Sequence, residues 1–337
     1  MKKNQKGWME WVQALFIASI LVIILRTFFF EPFTIPTNSM ANTLASGDFI
    51  VVNKIYFGPR LPISPFGTII KKIQLPYFRL PGFSKIKVGD VLVFNNPNDK
   101  KQPIDLRTHY IKRCVALPGD TFEINAGNVL CNNIPIKDNF NIKFNHHLKM
   151  MHQELTNTMI DSLGLVDGGK ISKNGDYSFS ITKNDAEKIS KLRNVKFVKK
   201  ITDTKNNFSE FIFPHKNAYP WNFDWFGPII VPKKGNVVTL TIKNICLYEK
   251  IIIEFEHNKV RIANDSIFIN EKYSTNYTFS ANYYFLIGDN RHNSYDSRSW
   301  GFVPESHIVG KATTILFSIK KNSYKNSIFE RWFSTIK

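Results

Sequence analysis

Cysteine is scarce in this chain, with only Cys114, Cys131 and Cys246 among 337 residues, an odd number in no zinc-type spacing. At most one intramolecular disulfide can form, so neither a disulfide framework nor a cysteine-bound metal is expected to organise the fold. No glycine-rich phosphate loop, helix-turn-helix signature or internal repeat is found, which removes the ordinary nucleotide-binding, DNA-binding and solenoid readings. Acidic side chains are outnumbered, 27 against 45 basic, for a formal net charge of +18. That balance would favour any polyanionic surface, lipid or nucleic acid. The abundance of Lys, Asn and Ile gives it a plainer compositional origin, and no nucleic-acid partner is inferred. After residue 30 no apolar run is long enough to span a bilayer.

What is present suffices for folded structure, since 43% apolar and 14% aromatic residues can fill one large core or two modest ones. Lys2, Lys3 and Lys6 precede a run from Trp11 to Phe30 that only Gln13, Ser19, Arg26 and Thr27 interrupt. Its length is that of one bilayer-spanning helix. Trp8 and Trp11 suit one interface, and Arg26 can snorkel outward past Phe28, Phe29 and Phe30. Glu31 and Pro32 follow the run in place of a small-x-small cleavage site, which predicts an uncleaved anchor with its basic N-terminus in the cytosol.

Beyond the anchor lies TIPTNSMANTLASGDFIVVNK, residues 34 to 54, in which Ser39 is the candidate nucleophile. An extended chain from Glu31 reaches it within roughly 30 Å, so the serine works near the membrane surface. Pro36 biases Ile35 toward extended structure and sets Phe33 and Ile35 on one side of a strand, while Asn38 tolerates a left-handed backbone and suits a sharp turn. Further on, YIKRCVALPGD at 110 to 120 places Lys112 in a β-branched apolar strand, with Cys114 on its face and Ile111 and Arg113 on the other. A strand lysine taken alone is usually a solvated side chain. A serine hydroxyl needs a base, however, and burial can bring a lysine from about 10.4 to about 7 to 8, where its amine accepts a proton. The stretch GDNRHNSYDSRSWGFVP at 288 to 304 reads by itself as a turn-rich loop with surface ion pairs.

Taken together and in this order, FEPFTIPTNSMANTL at 30 to 44, GDFIVVNK at 47 to 54, YIKRCVALPGD and GDNRHNSYDSRSWGFVP resemble the bacterial type I signal peptidases, or leader peptidases. These are membrane-anchored proteases with a Ser-Lys dyad. The resemblance implies an endopeptidase that removes N-terminal signal peptides from exported preproteins after small-x-small sites, through an acyl-enzyme. Ser39 would be the nucleophile and Lys112 the general base, with the Ser39 backbone N–H and the Thr37 hydroxyl as oxyanion donors. Ser294 would hold the lysine amine, and Asp296 with Arg298 would support the site. Phe33, Ile35, Leu44 and Ile111 would line shallow substrate pockets. The family usually has Pro where Asn42 stands. Neither cofactor nor metal is implied; the partners would be preproteins and membrane lipid. The location would be the bacterial cytoplasmic (inner) membrane, single-pass, with the catalytic domain extracytoplasmic. Self-cleaving repressors share the dyad on a related β fold but carry a DNA-binding domain. A membrane-anchored, non-catalytic binding protein derived from this family is the other reading, against which the full set Ser39, Lys112, Ser294 and Asp296 speaks.

The expected fold is mainly β: an N-terminal transmembrane helix, then an extracytoplasmic antiparallel β-sheet catalytic domain with a large inserted mixed subdomain. The expected divisions are a cytoplasmic N-terminus (1–10), the anchor (11–30), the catalytic domain in two parts (31–124 and 283–320), the inserted subdomain (125–282) and a basic C-terminal tail (321–337). Residues 56–83, rich in Pro and Gly, read as an extended loop or hairpin. In the insertion, VVTLTI and IIIEFE read as strands, and a helix runs to about Leu192 from a cap at Asn184 or Asp185. Tyr219 to Pro232 reads as a packed aromatic loop. His146, His147 and His152 with Met150 and Met151 read as a solvated helix face rather than a soft-metal site.

Overall fold

The computed structural model describes residues 3–65, 67, 73–136, 142–151, 154–172, 174–319 and 328–336. Helix α1 (Lys3–Phe28) contains the stretch Gly7–Phe28, which is long and apolar enough to cross a membrane and has none of its apolar window buried in the protein. Arg26 reaches along the chain past Phe28, Phe29 and Phe30. Its guanidinium lies 3.1 Å from Glu31, whose carboxylate also meets Lys54 at 2.8 Å, so the end of the helix is tied to the foot of the sheet.

The molecule is mainly β. Strands β1 (Phe30–Thr34), β2 (Asp48–Asn53), β3 (Val91–Asn95) and β4 (His109–Ala116) precede the insertion. Inside it, β5 (Lys143–Met150), β6 (Gly168–Ser172), β7 (Asp176–Thr182) and β8 (Val195–Lys200) form a sheet of their own, and β9 (Tyr283–Ile287), β10 (Val303–Pro304), β11 (Ile308–Ser318) and β12 (Ser334–Thr335) follow. The large sheet runs β1-β2-β11-β3-β4-β9-β10 with β12 on β11, every pairing antiparallel. Four inter-strand steps would put β1 about 19 Å from β4 in a flat sheet. Instead the Phe33 ring of β1 lies 4.8 Å from that of His109 on β4, so the sheet curls into a half-barrel. Ile35, Met40, Leu44, Ile50, Val52, Val91, Val93, Val309, Ala312 and Ile315 fill its inside. Leu92, Phe94, Cys114, Leu286 and Trp300 pack on the other face, as the alternation of β3 and β4 requires.

The insertion divides in two. Residues 143–200 enclose a separate small core around Leu148, Phe179, Ile181 and Ile189, whereas later parts of it, including Phe226, Leu240 and Ile252, share a core with Val115, Phe285 and Phe302 of the catalytic sheet. Tyr219, Trp221 and Phe223 of the aromatic loop pack against that shared core. Three local expectations are corrected. His146 and His147 lie on a strand, β5, not a helix; His146 is buried and bonded to the Phe144 carbonyl and His147 is held by Asp176, while His152 lies outside the described residues. The helix α2 (Lys183–Ser190) is capped by Thr182, whose hydroxyl accepts from Asp185 N, not by Asn184 or Asp185. The run IIIEFE is helical, continuing α3 (Ile245–Lys250) through Phe255, because burying Ile251 and Ile252 in the shared core outweighs their preference for strand. In residues 56–83, Arg60 and Arg79 form an antiparallel bridge, as in a hairpin. All three cysteines are free.

The region expected as a basic tail is partly structural. Residues 328–336 return to the half-barrel, with β12 pairing Thr314 and Ile315 of β11 and Ile336 packing on its core. Arg331 and Asp48, both buried, form a two-pronged ion pair at the foot of β2, and Arg331 also reaches the Thr43 carbonyl at 3.2 Å. Breaking one side of such a pair leaves a buried charge without its counter-ion, at a cost of about 3 kcal/mol. Arg331→Ala should therefore lower the urea midpoint well below that of wild type, with Arg331→Lys recovering part of the loss; an unchanged midpoint for the alanine variant would show that the pair contributes nothing.

Candidate active site

The loop from Ile35 to Gly47 joins β1 to β2 and carries Ser39. It is closed at its base by Ile35 N to Asp48 O (2.9 Å) and Gly47 N to Ile35 O (2.8 Å). Ala41 N bonds to Asn38 O at 2.9 Å, which makes Asn38 to Ala41 a turn with Ser39 in its first central position. Met40 and Leu44, both fully buried, pin that turn to the core and leave Ser39 half-buried at the surface of the cleft. The left-handed residue here is Asn42, with φ 77°, and not Asn38 as the sequence suggested. Proline, fixed near −65°, could not take this backbone.

Lys112 arrives from β4 opposite Leu92, with 4% of its surface exposed. Its Nζ lies 2.6 Å from Ser39 Oγ, a hydrogen bond along which a proton can pass. Burial pushes the Lys112 pKa down to about 8, against the opposing pull of Asp296 and Asp289. Ser39 and Lys112 open on a cleft of about 610 Å³. Pro36 to Ser39 form one side, Thr108 to Lys112 another, and Asn145, Asp167, Gly168 and Ser178 of the insertion a third. Thr37 is exposed there, its Oγ1 3.5 Å from Ser39 Oγ.

The 288–304 segment builds the floor. Asp296 and Arg298 are both buried, joined by two bonds of 2.9 and 2.8 Å, and Asp296 also accepts from Gly288 N at 3.1 Å. Although burial acts to raise it, the Asp296 pKa is held below the usual carboxylate value by the Arg298 guanidinium and its hydrogen bonds. Ser294 Oγ is buried without a well-formed hydrogen bond and does not bond to Lys112; it lies close enough to Asp296 to help keep that carboxylate charged. Of the expected pocket residues, Ile111 lines the cleft, Ile35 and Leu44 lie beneath it in the core, and Phe33 is half-buried against His109.

Two features went unread in the sequence. Arg113 and Asp289 form a second fully buried pair, at 2.8 and 2.6 Å, whose carboxylate also accepts from Thr43 Oγ1 at 2.5 Å. It ties β4, the Ser39 loop and the 288–304 segment together, and the DNR that supplies Asp289 had looked like a surface ion pair. Asn290, also fully buried, bonds to Ser39 O through its main-chain N–H at 3.0 Å and to Asn38 O through its side chain at 3.1 Å. His292 is committed elsewhere, with Nδ1 accepting from Asn145 N at 3.1 Å and Nε2 donating to Asp224 at 3.0 Å. Among the described residues no cluster of His, Cys, Asp or Glu could hold a metal ion.

A model of the family described as signal peptidase, peptidase S26, matches residues 8–177 and 209–317. Signal peptidase I of Buchnera aphidicola subsp. Acyrthosiphon pisum is 30% identical over 322 residues, covering 95% of this chain and 78% of that relative. Signal peptidase I of Haemophilus influenzae is 30% identical over 332 residues, 97% of this chain and 76% of the relative. For that of Aquifex aeolicus the identity is 26% over 306 residues, or 91% and 83%.

Gly288 offers a test of how tightly the floor is packed under the turn. A Cβ there would stand 2.2 Å from Ser294 Oγ and 2.6 Å from Ser39 O, closer than atoms can approach. Gly288→Ala should therefore displace the Ser39 turn, with catalytic turnover falling at least tenfold while the circular dichroism spectrum stays that of a β protein. Full turnover in this variant would show that the floor can yield.

Proposed function

The chain belongs to the signal peptidase, peptidase S26 family, and on that footing we propose that it is a membrane-anchored serine endopeptidase that removes N-terminal signal peptides from exported preproteins. The observation that carries the chemistry is the buried Lys112 amine 2.6 Å from the Ser39 hydroxyl. In the neutral state Lys112 takes the Ser39 proton as Oγ attacks the scissile carbonyl; the resulting ammonium returns that proton to the departing amine, leaving an ester on Ser39. Neutral again, Lys112 deprotonates the water that hydrolyses the ester. The negative charge on the carbonyl oxygen is assigned to the Ser39 backbone N–H and the Thr37 hydroxyl. Asp296 and Arg298 set the charge beneath the lysine, and Ser294 acts on Asp296 and not on the amine.

The cleft suits an extended substrate. β1 is an edge strand, and His109 to Lys112 extend past the pairing of β4 with β9, which covers only Arg113 to Ala116. A peptide entering between these two edges gains main-chain hydrogen bonds on both sides. Ile111 offers an apolar contact suited to small side chains, and Phe33, Ile35 and Leu44 shape the wall behind it. Anchoring by Gly7–Phe28 places this cleft beside the lipid from which a signal peptide emerges, and the basic N-terminus favours an extracytoplasmic catalytic domain.

Detergent-solubilised protein incubated with a preprotein should yield mature product, and Ser39→Ala and Lys112→Met should each abolish it without reducing expression. Persistent cleavage by either variant would remove the dyad. Because the free enzyme must present Lys112 uncharged, kcat/KM should climb about tenfold per pH unit below its pKa of about 8 and level off above it. His292→Gln should leave that ascending limb in place; its disappearance in this variant would transfer the role of base to the histidine.

A further inference from the structure

The inserted sheet reaches the nucleophile directly. Asp167, just before β6, accepts from Asn38 Nδ2 at 2.8 Å with one carboxylate oxygen and from Asn290 Nδ2 at 3.4 Å with the other. Asn38 immediately precedes Ser39, and Asn290 holds the Ser39 carbonyl. Ser180 on β7 adds a hydrogen bond to Asn290 Oδ1 at 2.5 Å. On each side of Asn290 the catalytic segment is bonded to the main chain of Lys143, by Lys143 N to Asp289 O and Arg291 N to Lys143 O, both 2.9 Å. Asp167 is itself fixed, because its carbonyl accepts from Ser180 N at 2.7 Å and the next residue, Gly168, lies where a Cβ would stand 2.1 Å from Ser178 O.

We propose that Asp167 is a positioning residue that sets the aim of the Ser39 hydroxyl, acting through Asn38 and Asn290, so that the insertion is part of the catalytic machinery. The proposal rests on Ser39 being the nucleophile. A rigid carboxylate gripping the residue before the serine and the residue that holds its carbonyl restricts rotation of the turn about its own axis. Small errors in nucleophile placement cost rate rather than substrate affinity. In this role Asp167 acts through Asn38 and Asn290, and it is not among the charges that move the Lys112 pKa, which are Asp296, Asp289 and Arg298.

The test is steady-state cleavage of a peptide containing a small-x-small site by the full chain in detergent. Asp167→Ala should lower kcat about tenfold with KM within twofold of wild type, and the ascending pH limb should stay in place; because Asp167 also faces the buried Lys143 ammonium at 3.8 Å the melting temperature should fall somewhat, so kcat is read well below it. Asp167→Asn, which keeps an acceptor toward Asn38, should retain kcat within threefold. In an Asn38→Gly background, Asp167→Ala should cost far less than it does alone. Ser180→Ala, which deletes one oxygen, should lower kcat about threefold and decides the matter if Asp167→Ala does not fold. Unchanged kcat in Asp167→Ala, a loss carried by KM, or a loss that follows the melting temperature would overturn the proposal. Activity surviving Ser39→Ala would instead overturn the nucleophile assignment on which it rests.

Discussion

An ammonium group gives up its proton near neutral pH only where water has been kept from it, and the arrangement around Lys112 answers to that constraint. The half-barrel excludes solvent from β4, leaving 4% of Lys112 exposed. Burial alone would leave two nearby carboxylates, Asp289 and Asp296, free to hold the lysine in its charged form. Each is instead joined to a buried arginine, Arg113 and Arg298, at distances of 2.9 Å or less. Burial, the largest influence, lowers the Lys112 pKa, Asp296 and Asp289 pull it back up, Arg298 opposes them, and the balance lies near pH 8. Buried pairs of this kind give little stability, and an apolar replacement is often as stable. Their value here lies in setting the potential at one amine.

Curvature is the second requirement. Ser39 belongs to the loop after β1 and Lys112 to β4, which are separated in the sheet by three intervening strands. Only strong curling lets them meet, and the small and branched residues of the inner face, Val52, Val91, Val93 and Ala312, allow the strands to close around Met40 and Leu44. The turn bearing Ser39 is therefore held from inside by its own buried neighbours, from below by Gly288 and Asn290, and from the side by the insertion.

Much of this was legible in the sequence where the signal is local. The apolar run of α1 and the apolar strand that became β4 correspond to the structure. The serine and the lysine stand out because one follows a membrane-like segment and the other sits where a charged residue is costly. Reading failed where distant contacts decide. IIIEFE carries strand residues yet is helical because a core lies against it. Asn38 and Asn42 both tolerate a left-handed backbone, and only the burial of Met40 and Leu44 selects Asn42. Asp289 looked like a surface residue because Arg113 lies 176 residues earlier in the chain. Asp167 had no distinguishing neighbours at all, since its partners come from residues 38 and 290.

The union of Asp48 with Arg331 imposes an order of events on the birth of the molecule. The hairpin that bears Ser39 rests on Asp48, a buried carboxylate whose counter-ion is synthesised 283 residues later. At about 5 to 20 residues per second that interval is roughly a quarter of a minute to a minute. Throughout it, Asp48 is without this counter-ion, and the base of the nucleophile loop has not reached its final packing. A nascent chain thus carries Ser39 on a loop whose base stays unfinished until residues 328–336 have folded back onto the sheet.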